Sequence, residues 1–415
     1  MTTVQRWNQA RSDEGCLSQR IDYDLHGLVG LRLVNASAHA AAAVAQQLGP
    51  MQKPLDREPD VVVRFVQQLP TPHLRCIGKD KGGFNDQGYF VLRHHKQRVK
   101  VRIPFEQIGN RCEILCESGA DSVPLLMHIL NLTLLRKDCV AVHASAFIYQ
   151  GTGVLVSGWA DGGKTTALLA FASQGADYVG DEWIWLRGDG QAMYGLPRNL
   201  NLSAWQLEQL PQLRRQVALK KRLFFQCVHG LDRLQDKLLA GRPDTHLGVK
   251  LPRKVLAVLK RQVELRVEPT TIFSPHAMRL AARPEKVFLF TTEQGPDLHC
   301  EPVSLQEMLP RMALAVQYGQ LAFMEHYMAF RFAFPDCRND YIENAHEFQQ
   351  DILGRALMGK EKYTVRHPYP VPVRPLFDVM RPFVEYGGMV AASNGKELSG
   401  RGVAVADVQQ RSVNA

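Results

Sequence analysis

The segment Gly158–Thr165, GWADGGKT, has the residue types and spacing of a phosphate-binding loop. Glycines let a backbone turn its N–H groups inward around phosphate oxygens, and a helix that begins at the loop adds its positive dipole end. In the pattern G-x-x-x-x-G-K-[ST], the lysine meets the outer phosphates and the next hydroxyl binds Mg²⁺. The residues expected to contact a nucleotide are therefore Gly158, Asp161, Gly162, Gly163, Lys164, Thr165 and Thr166.

The flanking sequence predicts the strand and the helix that such a loop requires. An apolar strand, GVLVSG, precedes the loop, and a helix is predicted from Lys164 to Gln174. A chance match to the pattern is uncommon in a chain of this length. An incidental glycine turn that caps a helix is therefore the less favoured alternative.

Two carboxylates follow the loop closely in sequence. Only sixteen positions separate Thr165 from Asp181, enough for one helix, a stop at Gly175 and one strand. If that strand pairs in parallel with the strand before the loop, Asp181 and Glu182 come out beside the loop. One carboxylate can then hold Mg²⁺, and the other can accept the proton of an attacking hydroxyl. Two solvated carboxylates at a strand end are the simpler alternative.

Two further polar residues are catalytic candidates from their positions. His143 lies at the start of the strand hairpin that leads into the loop, although a single histidine is more often structural. Arg198 ends the hairpin that follows the acidic pair, where its guanidinium can reach the charge of a transferred phosphate. An ordinary surface arginine is equally compatible with this position.

The segment 142–183, VHASAFIYQGTGVLVSGWADGGKTTALLAFASQGADYVGDEW, resembles the core of the HPr serine kinases and their HPr-kinase-related relatives. The shared features are a His-Ala at the head of a strand, a Gly-Val-Leu strand, the phosphate loop, one helix and a strand that ends in an acidic pair. PRNLNLS, at 197–203, is similar to a PR-x-x-x-L stretch of the related kinases. The resemblance is specific over 139–205 and diffuse over 25–138 and 205–320.

The resemblance implies an ATP- and Mg²⁺-dependent kinase on a fold shared with phosphoenolpyruvate carboxykinase. Such an enzyme transfers the γ-phosphate of ATP to a hydroxyl, with serine on a protein or peptide as the expected acceptor. The roles carried over are phosphate binding by Lys164, metal binding by Thr165 and the pair Asp181 and Glu182, proton transfer by one acid of that pair, and an active-site position for His143.

The sequence departs from true HPr kinases at three points. The acidic pair is Asp181-Glu182 instead of Asp-Asp, Asp161 stands where a loop serine is usual, and a second glycine-rich signature is absent. The missing signature argues against HPr itself as the substrate, and the Asp-Glu pair and the Pro-Arg stretch point to the related kinases. Glu182 and the missing signature also favour the first alternative function, a non-catalytic protein that senses nucleotide.

Charge and composition restrict the partners. The chain of 415 residues carries a net charge of +9, and the segment 211–262 alone has thirteen Lys or Arg against three Asp, an excess of +10. This basic segment is a candidate docking surface for an acidic or hydroxyl-bearing protein substrate, or a set of amphipathic helices with solvated basic faces. A nucleic-acid-associated NTPase is the second alternative, although no nucleic-acid-binding motif supports it. Homo-oligomer formation is left open.

Other features of the sequence favour a cytoplasmic protein. No apolar run reaches the length of a membrane span, and the first residues lack the apolar core of a signal peptide. The eight cysteines are scattered and are expected to be reduced thiols.

The predicted fold class is α/β: a P-loop core like that of HPr kinase and phosphoenolpyruvate carboxykinase, with an N-terminal α+β domain and a helical C-terminal extension. The predicted divisions are a flexible N-terminus (1–20), the α+β domain (21–138), the P-loop kinase domain (139–320), a helical and extended C-terminal region (321–390) and a disordered tail (391–415).

Overall fold

The computed structural model describes four stretches of the chain: residues 20–78, 81–94, 97–210 and 264–386. Three sequence predictions lie outside these residues: the flexible N-terminus apart from Arg20, the basic segment 211–262 and the disordered tail. The described chain is a mixed α/β protein with two mixed sheets and C-terminal helices. No helix in the described stretches is both long and apolar enough to cross a bilayer.

The chain divides into two compact units. The first consists of residues 1–140 and 318–349, and the second of residues 141–317 and 350–415. The predicted C-terminal region, 321–390, therefore contributes to both units.

The first unit is built on an eight-stranded sheet with the order β1-β2-β3-β8-β7-β6-β5-β4. Strands β2, β3 and β8 are parallel, and the other neighbouring pairs are antiparallel. The elements up to residue 135 are β1 (Arg20–Leu25), β2 (Val29–Val34), α1 (Ala38–Leu48), β3 (Val61–Val66), β4 (Arg75–Ile77), β5 (Gly82–Asn85), β6 (Gly88–His94), β7 (Gln97–Arg102), β8 (Cys112–Glu117) and α2 (Leu126–Leu135).

The sequence of the first unit predicts a helix capped by Ser37 and ended at Gly49, and a β-hairpin formed by GYFVLRHH (88–95) and QRVKVRIP (97–104). The structure confirms both. The amide of Ala40 donates to the Ser37 hydroxyl at 3.2 Å, which caps the start of α1 as predicted. Gly49 ends the helix with a φ of +81°. The predicted hairpin is the pair β6–β7, in which Val99 and Val101 are buried.

The second unit is built on a nine-stranded sheet. The elements from residue 139 onward are β9 (Cys139–Tyr149), β10 (Thr152–Gly158), α3 (Lys164–Ala172), β11 (Asp177–Gly180), β12 (Trp183–Arg187), β13 (Met193–Gly195), β14 (Leu200–Ser203), α4 (Ala204–Gln209), β15 (Glu264–Val267), β16 (Ala281–Ala282), β17 (Lys286–Thr292), β18 (His299–Pro302), α5 (Leu305–Gly319), α6 (Leu321–Ala333), α7 (Asp340–Glu343), α8 (Ala345–Leu357), β19 (Glu361–His367) and α9 (Val373–Glu385). Of these, α6 and α7 belong to the first unit, whereas β9, α5 and α8 span the boundaries at 140/141, 317/318 and 349/350.

The strand order of this sheet is β16-β13-β12-β9-β10-β17-β19-β18, and β11 pairs with β9 off this path. Strands β10, β17 and β19 are parallel neighbours. Strands β14 and β15 form a separate two-stranded sheet. The parallel centre brings the C-terminal ends of β10, β17 and β19 to one edge.

One predicted strand pairing is wrong. Strand β11, which carries the acidic pair, does not lie beside β10, because β9 lies between them and pairs antiparallel with both. Two antiparallel steps restore the direction, so β11 still runs parallel to β10. The C-terminal end of β11 therefore points toward the same edge as the phosphate loop.

Apolar packing holds the helix after the loop in place. Helix α3 is buried along most of its length, and its Phe171 ring stacks on Phe147 of β9 with centroids 4.6 Å apart. On its other side Phe377 of α9 meets the same ring edge to face at 5.0 Å. Burying an aromatic ring of this size stabilises the fold by roughly 1.5–3 kcal/mol, so α3 is fixed between the sheet and α9.

The prolines of HPYPVPVRP (367–375) predict an extended segment, and this prediction is wrong over its last residues. Helix α9 begins at Val373, so Pro375 lies inside the helix. A proline is tolerated in the first turn because its missing N–H would have no intrahelical acceptor there.

Candidate functional site

The loop between β10 and α3 depends on two glycines. Gly158 has a φ of +155°, and a Cβ there would lie 2.8 Å from the carbonyl oxygen of Phe290. Gly163 has a φ of +86° and precedes the first residue of α3. A larger residue at Gly158 would collide with β17 backbone, and one at Gly163 would be strained. The loop can therefore adopt this conformation so close to the sheet only with glycine at positions 158 and 163.

The start of α3 offers backbone donors to an anion. The first amide with an intrahelical acceptor is that of Ala167, which donates to Gly163 O at 3.0 Å. The four preceding amides, from Gly163 to Thr166, have no acceptor inside the helix. The Lys164 amine lies beside them and donates to Trp159 O at 2.6 Å and more weakly to Gly158 O at 3.4 Å. The amides, the helix dipole and the amine are together chemically suited to hold an anion such as phosphate.

Asp181 lies against the hydroxyl that follows the loop lysine. Thr165 Oγ1 is 3.0 Å from Asp181 Oδ2 and 3.2 Å from Oδ1. The hydroxyl of Ser145 on β9 also donates to Oδ1. Burial raises the pKa of Asp181, while the hydrogen bonds from Ser145 and Thr165 oppose that shift. Because the pKa of Asp181 is raised overall, its two hydrogen bonds do not fully stabilise the negative charge of the carboxylate. A cation bound beside Asp181 would stabilise that charge.

Glu182 and Arg198 form an ion pair beside Asp181. Arg198 Nη1 is 2.8 Å from Glu182 Oε2, in a geometry that is not an aligned hydrogen bond, and the Glu182 side chain is 42% exposed. Glu182 has a φ of +72°, a left-handed conformation that is uncommon for a glutamate. The amide of Ala144 donates to its carbonyl oxygen at 3.2 Å, which fixes the turn. Because of this turn the two adjacent acids have different partners: Asp181 contacts Thr165 and Ser145, and Glu182 contacts Arg198.

His143 is a neutral residue of the same site. Burial, with a smaller contribution from the charge of Lys164, lowers the pKa of His143 to about 4. Its ring centroid lies 5.7 Å from that of Trp183. At neutral pH the imidazole therefore carries no charge and offers one hydrogen-bond donor and one acceptor.

The predicted site residues converge on one cavity of about 240 Å³. Of the predicted residues, the cavity is lined by His143, Asp161, Gly162, Gly163, Lys164, Thr165, Thr166, Asp181 and Glu182. Gly158 lies below the loop as its hinge, and Arg198 reaches the site through Glu182. The hydroxyl of Thr166 is not available to a ligand in the cavity, because it is buried and accepts a hydrogen bond from Gln206 at 2.9 Å.

The donor set is compatible with Mg²⁺ that arrives with a nucleotide. Across the described ranges, no three His, Cys, Asp or Glu side chains form a cluster able to hold a metal ion. Mg²⁺ in nucleotide sites needs no such cage, since it is bound by one or two carboxylates together with phosphate oxygens and water. Thr165 and Asp181 provide one hydroxyl and one carboxylate for such an ion.

Several cavity residues were not predicted from the sequence. They are Asn199, Asn201, Ser203, Trp205, Gln206 and Tyr369. Two further residues that the sequence did not indicate, Ser145 and His367, contact Asp181 and the loop from outside the cavity lining. Ser145 had a usable signal, because it lies two residues after His143 and so shares its face of β9. His367 and Tyr369 had none, because they lie about 200 residues beyond the loop and are brought to it by strand pairing.

His367 supports the loop from the side of β17 and β19. It is fully buried, and its Nε2 and Nδ1 lie 3.0 Å from Gly162 O and 2.8 Å from Pro368 O. Both neighbours are carbonyl oxygens and therefore acceptors, so the ring donates to them through its N–H groups. The contact joins the end of β19 to the middle of the phosphate loop.

We expect nucleotide affinity to fall in alkaline solution. Burial lowers the pKa of Lys164 to about 8, against the opposing attraction of Asp181, Asp161 and Glu182. A bound polyphosphate favours the charged amine, so the affinity is complete below pH 8 and is lost as the pH rises through that value. The Kd of ATP with Mg²⁺, measured from pH 7 to 9.5, should rise by about tenfold per pH unit above 8.

The control for this pH dependence is Lys164→Arg, whose guanidinium stays charged over the whole range. If Lys164→Arg shows the same loss of affinity above pH 8, another group is responsible and the assignment to Lys164 is wrong.

No protein-family model matches the chain, and no curated protein matches it significantly. Membership of the HPr-kinase-related group is therefore a hypothesis supported by the motifs and the geometry described above.

Proposed function

We propose that the chain is an ATP- and Mg²⁺-dependent phosphotransferase of the HPr-kinase-related class, which transfers the γ-phosphate to a hydroxyl of a protein or peptide, with serine as the expected acceptor. The observation that supports this most strongly is the contact of 3.0 Å between Thr165 and Asp181 at the mouth of a glycine loop that carries Lys164. A hydroxyl and a carboxylate in contact at this position are the usual metal-holding pair of phosphate-loop enzymes.

The loop residues would bind and orient the triphosphate. The amides at the start of α3 and the amine of Lys164 would donate hydrogen bonds to the phosphate oxygens and so stabilise their negative charge. Thr165 and Asp181 would hold Mg²⁺, which supplies neutralisation of the charge on the β- and γ-phosphates. Holding the reacting groups in line and stabilising their charge accounts for most of the catalysis in phosphoryl transfer.

Glu182 is the proposed proton acceptor. Asp181 is occupied by Thr165 and Ser145, whereas Glu182 lies on the cavity surface and is partly exposed. The acceptor hydroxyl oxygen would attack the γ-phosphorus, its proton would pass to Glu182, and the bond between γ-phosphorus and the bridging oxygen of ADP would break. Arg198, paired with Glu182, would orient that carboxylate and lie near the transferred charge.

Neutral His143 would complete the acceptor side of the cavity. With a pKa of about 4 it stays uncharged in the working pH range and can hydrogen-bond the acceptor without adding charge. The polar residues Asn199, Asn201 and Ser203 line the same cavity. A polar acceptor such as a seryl side chain within a peptide suits this lining.

The fold is proposed to be the phosphate-loop fold of HPr kinase and phosphoenolpyruvate carboxykinase. Its support is the short separation of loop and acids and the position of β9 between β10 and β11. HPr itself is not the proposed acceptor, because the second glycine-rich signature is absent. Docking of an acidic partner on the basic segment 211–262 belongs to the same proposal.

The decisive experiment is phosphate transfer from γ-labelled ATP. Purified chain with Mg²⁺ should label an acid-stable phosphoserine species in a fractionated cell extract, and the Glu182→Gln variant should not. Equal labelling by both proteins would refute the role of Glu182 as proton acceptor, and no labelling by the wild type would refute the kinase proposal. ATP binding without any turnover would favour a nucleotide sensor, and hydrolysis that depends on added nucleic acid would favour an NTPase.

The Asp181→Asn variant tests the metal-holding role. An amide lacks the charge of the carboxylate, so Mg²⁺ should strengthen ATP binding less in this variant than in the wild type. The Kd of ATP with Mg²⁺ should rise by at least about tenfold. Binding of ATP in the presence of EDTA should change much less. The measurement is a pair of ATP titrations, with Mg²⁺ and with chelator, after thermal unfolding has verified that the variant is folded.

A loss of ATP affinity that is equal with Mg²⁺ and with chelator would contradict the metal-holding role. It would mean that Asp181 supports the loop through Thr165 and Ser145 alone.

A further inference from the structure

Two aromatic side chains line the candidate cavity away from the acids. Trp205 of α4 and Tyr369, two residues after β19, both face the cavity, with ring centroids 6.2 Å apart at an interplanar angle of 77°. Trp205 is half-buried against the apolar core, but Tyr369 leaves 56% of its surface exposed. The edge-to-face contact with Trp205 therefore orients the tyrosine ring without covering it.

The strand order puts this aromatic pair on the other side of the loop from Asp181 and Glu182. Strand β11, which ends at the acids, lies beyond β9 on one side of β10. Tyr369 follows β19, which lies beyond β17 on the opposite side of β10. The loop at the end of β10 is thus flanked by carboxylates on one side and by aromatic rings on the other.

A nucleoside triphosphate bound in the loop has its γ-phosphate at the acids. Its other end, which carries the nucleobase, must then leave the loop away from Asp181 and Glu182. The exposed ring of Tyr369 lies in that direction. A flat, partly exposed aromatic face next to a polyphosphate cradle is chemically suited to a nucleobase, because every base has a π-face that stacks on such a ring.

Direct hydrogen bonds hold the aromatic pair in register with the loop. Gln206, next to Trp205, donates to Thr166 on α3 at 2.9 Å and accepts from the Ser203 amide at 2.8 Å. On the β19 side, His367 contacts Gly162 O at 3.0 Å, two residues before Tyr369. Trp205 is therefore linked to the end of the loop through Gln206, and Tyr369 is linked to it through His367. These links hold the backbone that carries each ring at a set distance from the loop.

The helix that carries Trp205 is held at a second point. Gln209 of α4 accepts a hydrogen bond of 2.7 Å from the Val373 amide at the start of α9. Because Val373 follows Tyr369 by four residues, this bond ties together the two segments that bear the rings. A subsite that is already formed before binding loses less conformational entropy when a ligand enters.

We propose that Tyr369, oriented by Trp205, forms the nucleobase subsite of this cavity and stacks on the base of the bound nucleoside triphosphate. This inference rests on the proposed nucleotide-binding function and extends it to a part of the ligand that the loop motif does not address. Tyr369 is then a substrate-binding residue, and Trp205 a positioning residue that acts through it.

The test compares ATP with inorganic tripolyphosphate, which has the phosphates but no base. Both ligands are titrated with Mg²⁺ into the full-length wild-type chain and the variants Tyr369→Ala, Tyr369→Phe and Trp205→Ala. Tyr386→Ala is the matched control, because Tyr386 is an exposed tyrosine (67%) that does not line this cavity. Thermal unfolding of each variant checks that it is folded.

We expect Tyr369→Ala to raise the Kd of ATP by about tenfold and the Kd of tripolyphosphate by less than about twofold. Tyr369→Phe keeps the aromatic face and should bind ATP within about twofold of the wild type. Trp205→Ala should weaken ATP in the same selective manner, and the combination with Tyr369→Ala should add little, because Trp205 acts through Tyr369. Tyr386→Ala should change neither ligand.

Three outcomes would overturn this subsite. They are an unchanged ATP affinity in Tyr369→Ala, an equal loss for both ligands, and a rise in the KM of the acceptor with no change for ATP. Failure of the kinase proposal has a different signature. If Tyr369→Ala selectively weakens ATP binding but the wild type transfers no phosphate, the nucleobase subsite stands and the catalytic role is refuted. A wild-type chain that binds neither ligand would overturn both.

Discussion

Lys164→Ala is expected to lower phosphate transfer by about a thousandfold and to weaken binding of ATP with Mg²⁺. The amine is buried with the loop carbonyls and lies where the charge of the outer phosphates concentrates. Its loss removes a preorganised positive charge from a site with little water, where such a charge acts strongly. Steady-state transfer rates and ATP titrations measure the two effects.

Lys53→Ala is the control for this prediction, because Lys53 is an exposed lysine of the first unit, with a side chain that is 69% exposed. It should match the wild type in both assays. Lys164→Arg should retain part of the binding but little transfer, since the bulkier guanidinium cannot reproduce the point charge. Transfer by Lys164→Ala at a rate close to that of the wild type would show that the loop does not bind the transferred phosphate.

Glu182→Gln has the second large expected effect and is designed to separate chemistry from binding. Glutamine has nearly the same shape but cannot accept a proton, so transfer should fall by about a hundredfold to ten-thousandfold. The affinity for ATP should stay within about twofold, because the loop, Thr165 and Asp181 are unchanged. Single-turnover transfer and equilibrium ATP binding, measured on the same preparation, distinguish the two.

The opposite pattern of the two acid variants would reverse the assignment. If Glu182→Gln lost the Mg²⁺ dependence of ATP binding while Asp181→Asn kept it and lost only transfer, Asp181 would be the proton acceptor and Glu182 the metal ligand. Wild-type transfer by both variants would remove the acidic pair from the mechanism.

Features encoded within a few residues were predictable from the sequence. The loop, the helix that starts at Lys164 and the hairpin centred on Gly190 depend on glycines, periodicity and turn residues that act locally. The approach of Asp181 to Thr165 was predicted from the short separation in sequence and from a strand paired with β10, but in the structure β11 reaches this position through β9.

Features decided by strand pairing at long range were not predictable. The position of β9 between β10 and β11 is a choice among antiparallel and parallel partners that the alternation of apolar residues does not encode. Strand β19 buries Tyr363, Thr364 and Val365, but its sequence does not indicate which strand it pairs with. Its role as a neighbour of β17 therefore appeared only in the structure.

The link between His367 and Gly162 spans 205 residues of the chain. Ribosomes make proteins from the N-terminus, so the glycine loop emerges long before the strand that braces it. A nascent chain that ends before β19 has the complete loop motif but lacks the brace under Gly162 and the aromatic ring that follows it. The proposed nucleotide site is therefore complete only after β19 has been synthesised and has paired with β17.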